Sequence, residues 1–347
     1  MATADAHRMD AMDAGWWIGR TVGKYRILGK LRFCGGDPIF LASAGQRHDP
    51  GGLVALRLIP PRTVSNGFLH RFHEELHFLG ALEHANMQHI LGGGISDEGM
   101  PYVAMEHVRG VPVHHYCDQK QLTVPERLRL LLPVCSALQT AHEHLLAHRF
   151  LDVDSILVDH AHRPRLVDFH IPGHRGLSPR QGPAGNARLG SILSVLPAPD
   201  TPSRLHVRGD IAALGSILYQ LLTGHRPFAT RHDVRQFVRQ GPPPRPSRVV
   251  EEAAFDNEQR QVTPESIAKR RRTRPSRLIK TLRGDLDRIL LKALRQPPGD
   301  CYAGVSQLAD DLERFLADQP TSVHRPTLTG RLRRLMRRRP STDPAVT

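Results

Sequence analysis

HRFLDVDSILVDHAHRPRLVDFH, residues 148–170, contains two short aliphatic runs, Ser155 to Val158 and Arg165 to Val167, on either side of a turn of His, Arg and Pro. That pattern predicts two short strands joined by a turn. Acids flank them: Asp152 and Asp154 before, Asp168 after. Upstream, Val124 to Leu146 repeats leucine at helical spacing, and Phe68 to Leu82 places Phe68, Phe72, Leu76 and Leu79 on one stripe. Between these two helices, Tyr102 to Val108 reads as a buried strand. Earlier still, Tyr25 to Ala42 and Leu53 to Ile59 are β-prone runs broken by Gly, Pro and Asp, the pattern of twisted hairpins. Downstream of Asp210 the chain reads mostly helical, with irregular segments at Pro197 to Pro202 and Pro242 to Pro246.

A small β-rich part with one helix, followed by a larger helical part, is an α+β arrangement of two lobes with a cleft between them. The expected boundaries are a flexible arm over 1–23, a bilobal domain over 24–318 and a basic tail over 319–347. The lobes are expected at about 24–105 and 109–318.

Composition excludes several classes. With 39% hydrophobic residues the 347-residue chain can bury a substantial core. No apolar run approaches the roughly 20 residues a membrane-spanning helix needs. Met1 to Gly15 lacks the basic-then-apolar order of a secretory leader, so a cytoplasmic protein is expected, one that can sit peripherally at a membrane. Cys34, Cys117, Cys135 and Cys301 are far apart, which predicts reduced thiols. His142, His144 and His148 read HEHLLAH, which lacks the HExxH spacing of a zinc helix.

The net charge of +14 is local. Eight Lys or Arg and no acid lie between Ser266 and Gly284, and from Gln319 to Thr347 there are seven Arg against Asp343. These contribute 8 and 6, the whole excess, so the rest of the chain is balanced. The stretch Lys269 to Lys280 fits either a solvated face or a docking surface for acidic partners or nucleic acid. The segment Arg331 to Arg339 suits an anionic membrane surface ahead of nucleic acid.

Several further segments fall in a telling order: VALR at Val54 to Arg57, ELHFLGALEHAN from Glu75, YVAMEHVRG from Tyr102, HRF at His148, DFH at Asp168, DIAALG at Asp210, LLTGHRPF at Leu221 and RGDLDRILLKAL from Arg283. In this order they resemble the protein kinase family, in particular the bacterial receptor-like serine/threonine kinases, over about Tyr25 to Ala317. The resemblance implies a bilobal kinase fold that uses ATP and Mg²⁺. Phosphoryl transfer in that fold needs a glycine-rich cover, a lysine held by a helix glutamate, two metal ligands and an aspartate beside the attacking hydroxyl.

This chain departs from the pattern at most of those places. Arg32, Cys34 and Asp37 align with the cover glycines, so side chains stand where bare backbone approaches phosphate, and Asp37 is expected to repel it. The lysine is Arg57, larger and planar, with Glu75 as its expected partner. Phe150 replaces the aspartate that positions the hydroxyl, Asp152 the phosphate-facing lysine and Ser155 the metal-binding asparagine. Asp168 keeps one metal ligand, with a carboxylate that caps local backbone as the competing reading. Ala198, Pro199 and Asp200 stand for the activation-segment brace, whose arginine aligns with Cys301.

Other positions keep the scaffold. Ile39, Ala55, Arg57, Met105 and Leu157 match the adenine pocket. Leu79, His148 and Phe169 match the column joining the lobes, and Asp210 the acid that anchors the catalytic loop. The expected role is therefore a catalytically impaired kinase-like protein, a pseudokinase, that scaffolds or regulates by binding. A protein partner is expected, an active kinase first among candidates, and neither ATP nor Mg²⁺ is expected to be required. Two alternatives stay open: a weakly active or atypical ATP-dependent kinase or transferase, and a protein that works through its basic segments.

Overall fold

The computed structural model describes residues 15–34, 37–44, 52–59, 66–169, 202–228, 243–253, 262–295 and 301–324. The first lobe is an antiparallel sheet of β1 (Thr21–Val22), β2 (Tyr25–Cys34), β3 (Asp37–Ser43), β4 (Leu53–Leu58), β5 (Ile90–Ile95) and β6 (Pro101–Glu106), with helix α1 (Asn66–Ala81) between β4 and β5. The sheet order is β1-β2-β3-β4-β6-β5. Its two faces bury separate sets. Phe40, Leu56, Leu58 and Ala104 pack with Val22, Tyr25 and Ile27 on one side, while Ile39, Ala55, Val103 and Met105 face α1 and the second lobe. The alternation follows from the period of two in a pleated strand.

Phe72, Leu76 and Leu79 carry the buried stripe of α1, as their spacing requires; the side chain of Phe68 lies outside the described residues. The sequence reading missed β5 because its Leu-Gly-Gly-Gly run looks like a turn. A Cβ on Gly93 would stand 2.6 Å from the Tyr102 carbonyl oxygen and 2.7 Å from Leu76 Cδ1. A bare backbone there is what lets α1 lie on the sheet. Strand β6 ends at Glu106, two residues short of the expected Val108, and a connector leads to the second lobe.

That lobe opens with β7 (Gly110–Pro112), α2 (Val113–Gln119) and α3 (Val124–Glu143). Thr123 and Glu126 form a reciprocal capping box at the start of α3, worth about 1 kcal/mol. Leu128, Leu131, Val134, Cys135, Leu138 and Ala141 then face the core. Next come β8 (Ile156–Asp159) and β9 (Pro164–Leu166), the two strands read from residues 155–167, which join β7 in a three-stranded sheet.

The remaining helices are α4 (Pro202–Thr223), α5 (Pro246–Glu251), α6 (Pro264–Lys269), α7 (Pro275–Leu282), α8 (Asp285–Ala293) and α9 (Val305–Leu316). Pro202 and Pro246, read from the sequence as irregular, are instead the first residues of α4 and α5. A missing N–H costs nothing at that position, and proline's fixed φ suits it. From Asp210 to Tyr219 every residue of α4 is buried, which makes it the central post of the lobe. A Cβ on Gly215 would meet the Ala293 Cβ at 2.7 Å, so glycine sets the close approach of α4 and α8.

Both ends of the domain differ from the expected boundaries. Within the stretch expected as an arm, β1 pairs with β2 and Trp17 packs on the sheet. At the other end, Thr321 is buried and Ser322 is bonded to Asp311, so contact with the helical lobe runs on to His324. Among the described residues no helix is long and apolar enough to cross a membrane.

Candidate functional site

The cleft face of the sheet is set by register. Arg32 on β2 lies opposite Ile39 on β3, which lies opposite Arg57 on β4, and Leu41, Ala55 and Met105 form the next rung. Cross-strand partners point to the same side. Two guanidinium groups and the apolar Ile39, Ala55 and Met105 are therefore delivered together to the cleft.

Arg57 is buried. Its Nε and Nη2 donate to Asp37 Oδ2 at 2.8 and 2.5 Å, and its Nη1 donates to the Phe169 carbonyl at 3.2 Å. The expected pairing of Arg57 with Glu75 cannot be compared, because the Glu75 side chain lies outside the described residues. Asp37 is not an exposed charge facing a phosphate. It is 1% exposed and neutralised by Arg57, an oxyanion held where the family's lysine would hold one.

A second pair crosses the cleft. Arg32 Nε donates to Asp168 Oδ2 at 2.5 Å and Arg32 Nη2 to Asp168 Oδ1 at 2.6 Å, the parallel two-bond geometry in which guanidinium and carboxylate bind most tightly. Asp168 has φ +67°, and its amide donates to Gln88 Oε1 at 3.0 Å. Its side chain is 4% exposed against 20% for Arg32. Asp168 is therefore not simply a cap for local backbone, the competing reading of the sequence. Its carboxylate faces a guanidinium from the other lobe.

The loop of residues 148–155 is fixed from below and folded on itself. Asp210 is buried and accepts from the His148 and Arg149 amides at 2.7 and 2.8 Å, and its Oδ2 is 2.9 Å from His142 Nε2. His148 Nε2 lies 2.8 Å from the Val167 carbonyl, and its ring centroid is 4.7 Å from that of Phe169. Asp152 Oδ1 accepts from the Asp154 amide, the Ser155 amide and the Ser155 hydroxyl at 2.9, 2.9 and 3.0 Å. This is an Asx turn, so the two residues expected at the phosphate-facing lysine and metal-binding asparagine positions are engaged with each other. Phe150 is partly buried and packs on the main core cluster.

The apolar positions divide. Ile39, Ala55 and Met105 join one cluster with Phe169, whereas Leu157 packs with Val108 and Val167 in a small separate one. Leu79 and Phe169 belong to the same core cluster. His107 and His114 flank the connector between the lobes. Burial holds both below the ordinary imidazole range, with Arg109 adding to it at His107 and His115 at His114, so neither supplies a cation at neutral pH.

The three histidines of HEHLLAH diverge. His142 meets Asp210, His144 Nδ1 meets the Thr140 carbonyl and His148 meets Val167. Among the described residues no group of three His, Cys, Asp or Glu is placed to hold a metal ion. Burial raises the Cys117 thiol to about 11 and that of Cys135 to about 12, so both are protonated at neutral pH. Ala198, Pro199 and Asp200 lie outside the described residues, and Cys301 is partly buried.

Sequence reading treated Arg32 and Asp37 as obstructions and missed that each answers a charge of the site. The signal was present in their signs: a cation at one cover position and an anion at another, opposite the two charges that the site retains.

Comparison with known proteins gives a consistent picture. A family model described as protein kinase domain matches residues 42–277. Serine/threonine-protein kinase PrkC of Bacillus subtilis is 32% identical over 213 residues, which are 61% of this chain and 32% of PrkC. Serine/threonine-protein kinase PknB of Mycobacterium tuberculosis is 25% identical over 304 residues, 86% of this chain and 44% of PknB. Serine/threonine-protein kinase Pkn1 of Myxococcus xanthus is 26% identical over 322 residues, 91% of this chain and 41% of Pkn1. The chain thus spans 32–44% of the length of these relatives.

Proposed function

The chain belongs to the protein kinase family, and from that premise we propose that it is a catalytically impaired member, a pseudokinase, which acts as a signalling scaffold or allosteric binding module. The observation that carries this reading is the cross-pairing of the cleft. The retained metal-ligand position, Asp168, is bonded at both oxygens to Arg32, and Arg57 at the lysine position is bonded to Asp37.

Active kinases of the family use ATP and Mg²⁺, and the residues present here fit that pair poorly. Phosphoryl transfer depends on positive charge gathered around the transferred group and on a residue that orients the attacking hydroxyl. Here the cations of the cleft meet the chain's own carboxylates. Ser155 donates to Asp152, and Phe150 offers neither a proton acceptor nor an orienting oxygen. Nucleotide and metal would have to displace two charge pairs, one of them fully buried.

The alternative, a weak ATP-dependent kinase, is separated by measurement on the purified chain. The expected result is no transfer of the ATP γ-phosphate to a generic protein substrate, and a melting temperature that ATP with Mg²⁺ leaves unchanged. Phe150→Asp is expected to lower stability without creating transfer, because the base is one member of a group that acts as a unit. Transfer by the wild-type chain that Asp168→Asn abolishes would overturn the pseudokinase reading.

A further inference from the structure

Arg32 and Asp37 belong to one hairpin. Arg32 lies on β2 and Asp37 opens β3, and Cys34 with Asp37 is the last pair of their ladder. Each is bonded to a group of opposite charge outside the hairpin: Arg32 to Asp168 beyond β9, and Asp37 to Arg57 on β4. The hairpin thus brings one cation and one anion into the cleft and meets one of each there. The two pairs are also joined, because Arg57 Nη1 donates to the carbonyl of Phe169, the residue that follows Asp168.

Two local features aim these side chains. The ladder of β2 and β3 shifts register between Lys30 and Arg32, and a bulge of this kind re-aims the side chain beside it. Pro38 follows Asp37, and a residue before proline is held to extended backbone. Both charges are therefore positioned by the hairpin itself.

The apolar positions beside them are shut. Ile39, the rung between Arg32 and Arg57, is 0% exposed, and Ala55 and Met105 are each 1% exposed. These three match an adenine pocket, yet solvent does not reach them while the hairpin is down.

We propose that the β2–β3 hairpin is a closed lid, in which Arg32 and Asp37 serve as an internal ligand for Asp168 and Arg57 and keep a nucleoside polyphosphate out of a pocket that is otherwise retained. This rests on the reading of the chain as an impaired kinase, and it assigns the poor fit to ATP and Mg²⁺ to two side chains of one hairpin instead of to the whole pocket. The physical basis is competition within one chain. A tethered group acts at an effective concentration of about 1 mM or more, and a free ligand has to displace both pairs to enter. Each pair is a charge-assisted bond, worth more than about tenfold in such a competition. Phe150 and Ser155 lie outside the hairpin, so an opened lid restores binding and not transfer.

Fluorescence titration of the full chain with N-methylanthraniloyl-ATP and Mg²⁺ tests it, with the melting temperature as a second readout. The wild-type chain should show no saturable binding up to about 1 mM. Arg32→Gly removes one pair and leaves bare backbone, which phosphate can approach, so binding should tighten at least about tenfold below that limit. Adding Asp37→Ser should bring the gain to about a hundredfold, and Arg57→Met in that double variant should cancel the part due to Asp37→Ser. If the double variant does not fold, Arg32→Gly carries the test alone, because Arg32 is the partly exposed member of its pair. Folded variants that bind no better than wild type, or wild-type binding as tight as theirs, overturn the lid. Transfer of the γ-phosphate by the wild-type chain would instead overturn the reading on which the lid rests.

Discussion

Two regions of this molecule bury arginine, and they answer it differently. In the cleft, Arg57 and Arg32 meet the carboxylates of Asp37 and Asp168. At the base of the helical lobe, Arg271 meets only main-chain carbonyls, and Arg127 meets carbonyls and the half-exposed Asp118. Burial, with the nearby charge of Arg127, pushes Arg271 down to about 9, so it is still a cation at neutral pH. The difference separates two uses of a buried charge. At the base, guanidinium groups serve as multi-pronged donors that finish the C-terminal end of α4, where carbonyls lack partners within the helix. In the cleft each meets a carboxylate of the chain itself, which lowers the field offered to an outside anion.

The largest expected effect follows from the base. Arg271→Leu strands the Leu222 and Ile267 carbonyls in a buried site, while Leu221 keeps its bond from Arg127, and should cost about 3–4 kcal/mol in urea denaturation. A loss below about 1 kcal/mol would mean that these carbonyls find other partners and would erase the contrast between the regions.

The cleft pair should behave differently. Asp37→Leu leaves the Arg57 charge buried without this partner and should cost about 3 kcal/mol, yet Asp37→Leu combined with Arg57→Met should return near to wild-type stability. No such rescue exists at the base, where the partners are main chain. A double-mutant cycle that shows no coupling between Asp37 and Arg57 would show that the pair is not what neutralises the cleft.

The smallest effect concerns the exposed pair of Arg272 and Glu126, which should follow pH rather than packing. Glu126 is held at about 2, first by its bond from Arg272 and then by Thr123. Its folded value is depressed, so the stabilisation is complete above the ordinary carboxylate range and fades as pH falls toward about 2. Because the group is largely solvent-screened, Glu126→Gln should cost only about 1 kcal/mol at neutral pH, and the difference from wild type should vanish in acid. A difference that persists at the lowest pH would assign the effect to helix propensity.

Much of this was legible in the sequence because it depends on periodicity. The stripe of α1, the leucines of α3 and the aliphatic runs at 155–158 and 165–167 each announce an element by spacing alone. The anchoring role of Asp210 was legible through its place in an ordered set of motifs. What spacing does not show is which charges meet after folding. Arg32 and Asp168 are 136 residues apart, and their contact depends on the register of β2 against β3 and on how the lobes close. The same holds for Arg271, one of eight cations between Ser266 and Gly284 and, unlike its exposed neighbours, turned inward. Strand β5 was missed for a local reason: its glycines are required by the approach of α1, a tertiary demand with no signature in β propensity.

The Arg32–Asp168 pair has a further consequence as a clamp. It joins β2 to the start of a loop in the other lobe, on the far side of the connector that follows Glu106. Two lobes linked by a connector and left unclamped would swing, and any partner that spans both would have to arrest that motion on docking. Here the pair opposes that swing before any docking, so part of the entropy of stilling it is lost during folding and not at association. A molecule of this kind presents its two-lobed outline as a preset shape, and affinity for that shape can be read as complementarity to one conformation instead of selection from many.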